Sequence, residues 1–406
     1  MAEDVIVLKQ VGKGITAAKG FRAAGLHCGI KRTKKDLALV VSETPGSAAG
    51  VFTQNRVKAA PVIVCQERVK GGILQAILIC SGNANACTGE QGLANAYALT
   101  RMVARQFGLS EQAVAATCTG VIGVQLPMDV IEAGIQQIAE VVSEDGFADA
   151  AEAIMTTDTA VKQIAYEVEI GGLTVRVGGM AKGSGMIHPN MATMLAFITT
   201  DAVISPQVLQ TALSASVNKS FNMITVDGDT STNDSVLVIA NGMSGCPEIK
   251  PGTPEFAAFS AALDAVCIEL AKMIVSDGEG ASKLIEINVC GARSDAEACL
   301  AAKAIARSNL VKTAIFGEDA NWGRIVCAAG YSGAEIDSGR IDVKIGSIQM
   351  CEQGEGLAFD EELAKEILRE REVVIQVGLN LGTGKARVWT CDLTYDYVKI
   401  NASYRS

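Results

Sequence analysis

Short apolar runs alternate with longer amphipathic stretches along the whole chain. DLALVV (36–41), AILIC (76–80) and AVAATC (113–118) are continuous apolar runs too short for helices, and they read as buried strands. EQGLANAYALTRMVARQFG (90–108) has apolar residues at helical spacing and stops at a glycine. MDVIEAGIQQIAEVV (128–142) and PEFAAFSAALDAVCIELAKMIV (254–275) predict two more helices, the second opening on Pro254 with Thr253 before it as a cap. KQIAYEVEI (162–170) and LTVRVGG (173–179) flank Gly171-Gly172, which predicts a hairpin. Further on, EVVIQVGLN (372–380), ARVWTCDLT (386–394) and YVKIN (397–401) read as strands. The pattern predicts an α/β or α+β fold with some antiparallel pairing and no internal repeat.

Composition narrows this picture. Aromatics are 4% of the 406 residues, so the core must be packed from Ala, Val, Ile and Leu; a chain this long predicts two structural units. A net charge of −10 without a basic run excludes the counterion-displacing surface that a nucleic acid requires. The start, MAEDVIVLKQVGKG, carries acids where a secretory signal carries bases, and no apolar stretch is long enough to span a bilayer. The 12 cysteines include no CxxC and sit singly in apolar runs, as at Cys80, Cys267 and Cys327, which predicts buried, reduced thiols in a cytoplasmic protein.

Two tempting motifs fail on spacing. GLNLGTGKA (378–386) has one residue too many between Gly378 and Gly384 for a phosphate loop, and Ala386 where a hydroxyl is needed. DGDTSTND (227–234) has Thr232 where a calcium loop needs glycine, and Val238 where it needs a bidentate acid. What remains is a group of segments dense in Gly, Asn, Ser and Thr. They are SGNANACTGEQG (81–92), TCTGVIG (117–123), MTTDT (155–159), KGSGMIHPNMATML (182–195), VDGDTSTND (226–234), SDGEGASK (276–283) and GEDANWGR (317–324). Each could be turn chemistry, but rigidly placed loops are also where reactive groups concentrate.

The chain has two histidines, His27 and His188. A His-rich metal site is therefore excluded, and a His-based triad would have to use one of them. Each reads as a structural or turn residue outside the chemistry. A hydroxyl nucleophile then needs another base: a lysine, or the α-amine of a threonine that has become a chain terminus. An α-amine titrates near pH ~7.7–8.0, close to what a general base at neutral pH requires.

The segment Lys182-Gly-Ser-Gly-Met-Ile-His-Pro-Asn-Met-Ala-Thr193-Met-Leu resembles the self-cleavage motif of the ornithine acetyltransferase (glutamate N-acetyltransferase) family. The resemblance runs from GVFTQN (50–55) and AAPV (59–62) to NASYRS (401–406), with the glycine-rich segments in family order. It implies Thr193 as nucleophile, scission between Ala192 and Thr193, and fragments 1–192 and 193–406 as two subunits. It further implies Thr119 and Gly120 as the oxyanion pair, and Thr156, Lys182, Thr193, Glu279, Asn401 and Ser406 as substrate-binding residues. The family usually ends in threonine; Ser406 keeps the hydroxyl without the methyl.

The implied reaction moves an acetyl group from N-acetylornithine to glutamate through an acetyl-threonine ester, with acetyl-CoA as a further acetyl donor and neither metal nor cofactor. The chain carries no adenine-binding motif that would mark acetyl-CoA. The implied fold is a layered sandwich of helices packed on mixed β-sheets, similar to DmpA-type self-processing aminopeptidases, assembled as an α2β2 heterotetramer. Two other readings stay open: a self-cleaving N-terminal-nucleophile amidohydrolase or aminopeptidase, and a non-catalytic amino-acid-binding protein. Asn83 and Asn85 could bind substrate or hold their own loop.

Overall fold

The computed structural model describes residues 6–188 and 194–403, so Ala192, Thr193 and Ser406 lie outside the described residues. The chain divides into two compact units. One comprises residues 1–183, 190–222 and 230–271, the other 184–189, 223–229 and 272–406.

Unit 1 is built on a nine-stranded mixed sheet. In order across it run Lys9–Val11, Lys162–Ile170, Leu173–Lys182, Leu195–Thr200, Ser235–Ala240, Leu37–Phe52, Ile73–Asn83 and Val114–Val121, with Phe21–Leu26 also paired to Leu37–Phe52. The pairs Leu195–Thr200/Ser235–Ala240 and Ile73–Asn83/Val114–Val121 are parallel and the other pairs antiparallel. The continuous apolar runs are explained by burial of both faces. Leu37, Leu39, Leu78, Val114 and Ala116 point into one cluster with Leu99, Val103, Ile131 and Ile135. Their neighbours Ala38, Val40, Ile77, Ile79 and Ala115 point into another with Ala150, Ala151 and Ile154. Successive strand side chains face opposite ways, so a strand covered on both sides has no polar alternation to show. The predicted hairpin forms, with Ile170 opposite Leu173 and Gly171 and Gly172 at φ +59° and +76°, the two left-handed positions of a tight primed turn.

Unit 2 has a seven-stranded mixed sheet, in the order Glu355–Gly356, Ile348–Glu352, Asp342–Ile345, Glu372–Gly378, Leu284–Ala292, Gly384–Cys391, Ile224–Thr225. Its core joins Ile285, Ile287, Val373, Ile375 and Val388 of the sheet to Ala298, Ala302 and Ile305 of the Asp295–Arg307 helix. Alanines on that helix let it lie close to the sheet, as the low aromatic content predicted. The segment rejected as a phosphate loop links the strands Glu372–Gly378 and Gly384–Cys391, whereas a phosphate loop opens a helix.

The helices at 90–108, 128–142 and 254–275 form within a residue or two of their predicted limits, and Thr253 Oγ1 accepts the Phe256 N–H at 3.2 Å as the cap. Two expectations are corrected. YVKIN is not a strand but part of the Tyr395–Ala402 helix. Its apolar residues are solvent-facing, Val398 at 65% exposure, so their alternation records no buried sheet face. Acidic Asp396 in the first turn and Lys399 in the last instead suit a helix dipole. The cysteines are all free among the described residues, but Cys87, Cys290 and Cys327 are exposed. Cys327 sits on an amphipathic helix, Trp322–Gly330, whose buried side is Ile325, Ala328 and Ala329.

Candidate active site

Thr119 and Gly120 lie at the end of the Val114–Val121 strand, where pairing with Ile73–Asn83 breaks register: Gly120 pairs with Gly82, and Asn83 meets both Thr119 and Val121. Gly120 has φ +133°, and a Cβ there would run into the Gly82 backbone. Only glycine allows this approach. Thr119 is buried. A hydroxyl and a backbone N–H on consecutive residues are the donors an oxyanion requires.

The neighbouring asparagines hold the loop. Asn83 Oδ1 accepts the Asn85 N–H at 2.8 Å, and its Nδ2 donates to the Val124 and Gln125 carbonyls. Asn85 Nδ2 donates to Gly92 O at 2.9 Å, and its Oδ1 accepts from Thr88. These bonds give both residues a structural role.

Thr156 and Lys182 converge on Asp158. This carboxylate is 3% exposed. It accepts from Lys162 Nζ at 2.7 Å, the Gly183 N–H at 2.6 Å and the Thr156 N–H at 2.9 Å, and lies 3.9 Å from Lys182 Nζ. Burial alone would raise its pKa, but the charges of Lys182 and Lys162 and the hydrogen bonds hold it well below the usual carboxylate range. One buried anion thus fixes the backbone of the MTTDT segment and the end of the strand bearing Lys182. Close by, Lys31 Nζ donates to Met155 O at 2.6 Å and Lys35 O at 2.8 Å, and burial lowers its pKa to about 8.

Asn233 and Asp234 link these parts. Asn233 Nδ2 donates to Ala84 O at 2.7 Å and Cys118 O at 2.8 Å, tying the SGNANA loop to the strand residue just before Thr119. Asp234 Oδ1 accepts the Met194 N–H at 3.0 Å. Sheet register sets Lys182 opposite Leu195 and Leu195 beside Ser235. The residues flanking Asp234 and following Thr193 are therefore level with Lys182.

In unit 2, Glu279 and Asn401 are brought together, Asn401 Nδ2 donating to Glu279 Oε2 at 2.9 Å. The Glu279 N–H donates to Ser184 O at 2.8 Å. Asp227 accepts the Met186 and Ile187 N–H groups at 2.6 and 2.9 Å and the Tyr397 hydroxyl at 3.4 Å. Burial raises the Asp227 pKa despite these donors. His188 Nδ1 lies 3.2 Å from Thr225 Oγ1, and burial followed by the charges of Arg307 and Lys303 lowers its pKa to about 4. It is therefore a neutral imidazole at physiological pH. His27 Nδ1 contacts Lys34 O at 2.9 Å within its own loop.

Asp158, Asn233, Asp234, Asp227 and Lys31 were not singled out from sequence. The usable signal was an acid or amide inside segments already marked as dense in turn residues, MTTDT and VDGDTSTND. Among the described residues no group of three or more His, Cys, Asp or Glu is placed to hold a metal ion. No described helix is long and apolar enough to cross a membrane.

A family model described as the ArgJ family matches residues 22–406. The arginine biosynthesis bifunctional protein ArgJ of Symbiobacterium thermophilum is 57% identical over 396 residues, covering 97% of this chain and 98% of that protein. Its counterpart from Halalkalibacterium halodurans is 53% identical over 406 residues, covering 100% of this chain and 99% of the relative. A crystal structure of the Bacillus halodurans protein of that name matches with TM-score 0.51 and 54% identity, over 51% of this chain and 98% of that chain. The chain belongs to the ArgJ family. It is an enzyme, an acyltransferase of arginine biosynthesis.

Proposed function

We propose that the chain is a glutamate N-acetyltransferase that moves the acetyl group of N2-acetyl-L-ornithine to L-glutamate through an acetyl-Thr193 ester. The observation that carries this reading is the family match across residues 22–406.

The mature nucleophile arises by self-cleavage. Thr193 Oγ attacks the Ala192 carbonyl carbon, the amide C–N bond breaks as the ester forms, and water hydrolyses the ester. The Ala192 carboxylate and a free Thr193 α-amine result, and fragments 1–192 and 193–406 remain together as the subunits of an α2β2 assembly in the cytoplasm.

In transfer, the α-amine takes the hydroxyl proton as Oγ bonds to the acetyl carbon. The oxyanion is held by the Thr119 hydroxyl and the Gly120 N–H, donors of a kind worth ~2.7–4 kcal/mol each in transition-state stabilisation. Collapse breaks the C–N bond, and ornithine leaves with the proton from the α-ammonium. Glutamate's amine then attacks the ester, returning a proton through the α-amine to Oγ as N-acetylglutamate departs. This is ping-pong chemistry.

Lys182 and Thr156 anchor substrate carboxylate, Glu279 meets a substrate ammonium with Asn401 beside it, and Ser406 completes binding. Acetyl-CoA serves as a second acetyl donor to glutamate. Electrospray mass measurement tests the reading: the 42.2 kDa chain should appear as two fragments, the second beginning at Thr193. Thr193→Ala should remain whole and inactive. Active protein that persists as one chain would overturn the terminal-amine mechanism. Ornithine release that runs equally fast without glutamate would make the enzyme a hydrolase.

A further inference from the structure

The half-buried side chain of Lys31 in unit 1 touches two segments on which the site depends. Its backbone is pinned first. The buried Asp36 carboxylate accepts the Cys28, Gly29 and Lys31 N–H groups at 2.7, 3.1 and 2.8 Å, and the Ser81 N–H donates to Asp36 O at 2.8 Å. The loop 27–36 is thus fastened to the strand Ile73–Asn83. From this loop the Lys31 stem crosses Gly82, where an added Cβ would meet Lys31 Cγ at 2.9 Å. Gly82 in turn lies against Gly120, where a Cβ would come within 2.3 Å of the Gly82 carbonyl carbon. The Lys31 ammonium then reaches the other segment, donating to Met155 O at 2.6 Å and Lys35 O at 2.8 Å. Met155 precedes Thr156, whose N–H is bonded at 2.9 Å to Asp158, the carboxylate that Lys182 faces. Ser81 Oγ donates to Ala153 O, a second tie between the same strand and the start of this segment.

We propose that Lys31 is a positioning residue for acetyl transfer: its stem backs the Gly82–Gly120 crossing, and its ammonium fixes the Thr156 segment relative to that crossing. This rests on the reading that Thr156 binds substrate and that Thr119 and Gly120 hold the oxyanion.

The chemistry of the contact supports it. A carbonyl that accepts from an ammonium is held by a charge-assisted bond, shorter and stronger than a neutral one. Here one cation serves a carbonyl in its own loop and another 124 residues away, so the two segments share a single anchor. Lysine suits the place because its apolar stem can lie on glycine backbone while the charge is carried to the carbonyls beyond. Burial lowers the Lys31 pKa to about 8; Asp36 and Asp158 oppose the fall, and Lys182 and Lys34 add to it. Lys31 therefore lies within the field of both Lys182 and Asp158. Acyl transfer needs the bound substrate and the oxyanion donors in register, and a misplacement of ~1 Å can cost ~100-fold in rate.

The test uses the full chain and a steady-state assay with acetylornithine and glutamate. Lys31→Met keeps the stem over Gly82 and removes the donor. Expected is a kcat/KM for acetylornithine at least ~10-fold lower with a cooperative melting transition retained. Because Lys31 acts through Thr156, the same change made in a Thr156→Ala background should lower kcat/KM by less than ~3-fold further. A merely structural role would give equal losses in both backgrounds, and that result would overturn the inference. If Lys31→Met shows no cooperative melting, Lys31→Gln, whose polar end falls one bond short of the lysine's, is judged by the same criteria. Should Thr156→Ala by itself leave kcat/KM unchanged, the underlying reading fails and takes the inference with it. Should Thr156→Ala lower kcat/KM while Lys31→Met matches the unmodified enzyme, this inference alone fails.

Discussion

Asp158 and Asp234 are both buried carboxyl groups of unit 1 acted on by Lys182, and their surroundings are opposite. Asp158 has a donor at every side: an ammonium, two backbone N–H groups and a second lysine at 3.9 Å. Its pKa is depressed, because attraction outweighs burial. Asp234 accepts the Met194 N–H and has the Lys182 charge and the Ser231 hydroxyl as further, lesser aids to its charged form, and burial wins. A buried anion with enough donors keeps its charge; a buried carboxyl with fewer favours its neutral form. Lys182 stands between the two, level in the sheet with the residues that follow Thr193.

The largest expected effect tests the charged side. Asp158→Asn removes the buried carboxylate that Lys162 and Lys182 both face and should cost about 3–5 kcal/mol of unfolding free energy, read from denaturant titration. Asp234→Asn should cost far less, since the amide replaces a carboxyl whose charged form is already disfavoured. Equal losses would break the comparison.

The pH dependence has opposite signs. Asp158 is depressed in the folded state, so its stabilisation is complete above the ordinary carboxylate range and lost as pH falls through its folded value. Asp234 is raised, so its ionised form costs stability above its folded value, and folding gains as pH falls from there towards the ordinary range. The stability-versus-pH curves of the two Asn variants, each subtracted from that of the unmodified chain, should therefore slope oppositely.

Next in size is the oxyanion pair. Gly120→Ala meets both the φ of +133° and the Gly82 backbone. Steady-state assay with acetylornithine and glutamate should show kcat down by about 10²–10³. A loss under ~5-fold would mean that Gly120 N–H is not a donor to the transition state. Asn233→Ala should be milder, removing the donors to Ala84 O and Cys118 O and costing about 1–3 kcal/mol for each carbonyl left buried without a partner.

The smallest effect is expected at His188. His188→Gln should leave acetyl transfer within about twofold. It should also flatten one segment of the stability curve. The folded pKa of about 4 lies below the ordinary value, so the native state binds that proton less tightly than the unfolded chain, and stability falls as pH drops from 6.5 towards 4. An activity loss of tenfold or more would bring the imidazole into the chemistry.

Much of this was legible in the residues. Runs such as DLALVV and AILIC marked strands because both their faces are buried, and Gly171-Gly172 marked its turn because both residues need left-handed φ. Thr119, Gly120, Thr156 and Lys182 stood out through motif order, and the structure sets Thr156 and Lys182 around one carboxylate. YVKIN misled because alternation in an exposed segment carries no information about a buried face. Asn83 and Asn85 could not be decided, since an asparagine in a loop looks the same whether its amide meets substrate or backbone.

The sequence by itself determined the family, the candidate nucleophile and the need for a base other than histidine. Residue identity and local spacing suffice for each of these. Tertiary structure decided which polar groups face one another. Asn233 reaches Ala84 and Cys118, 149 and 115 residues away. Asp158 and Asp234 acquire opposite proton affinities from burial and from clusters that share Lys182, 24 and 52 residues away from them. Periodicity encodes burial one residue at a time, whereas a hydrogen bond or a pKa belongs to a pair or a cluster, and only folding brings those together.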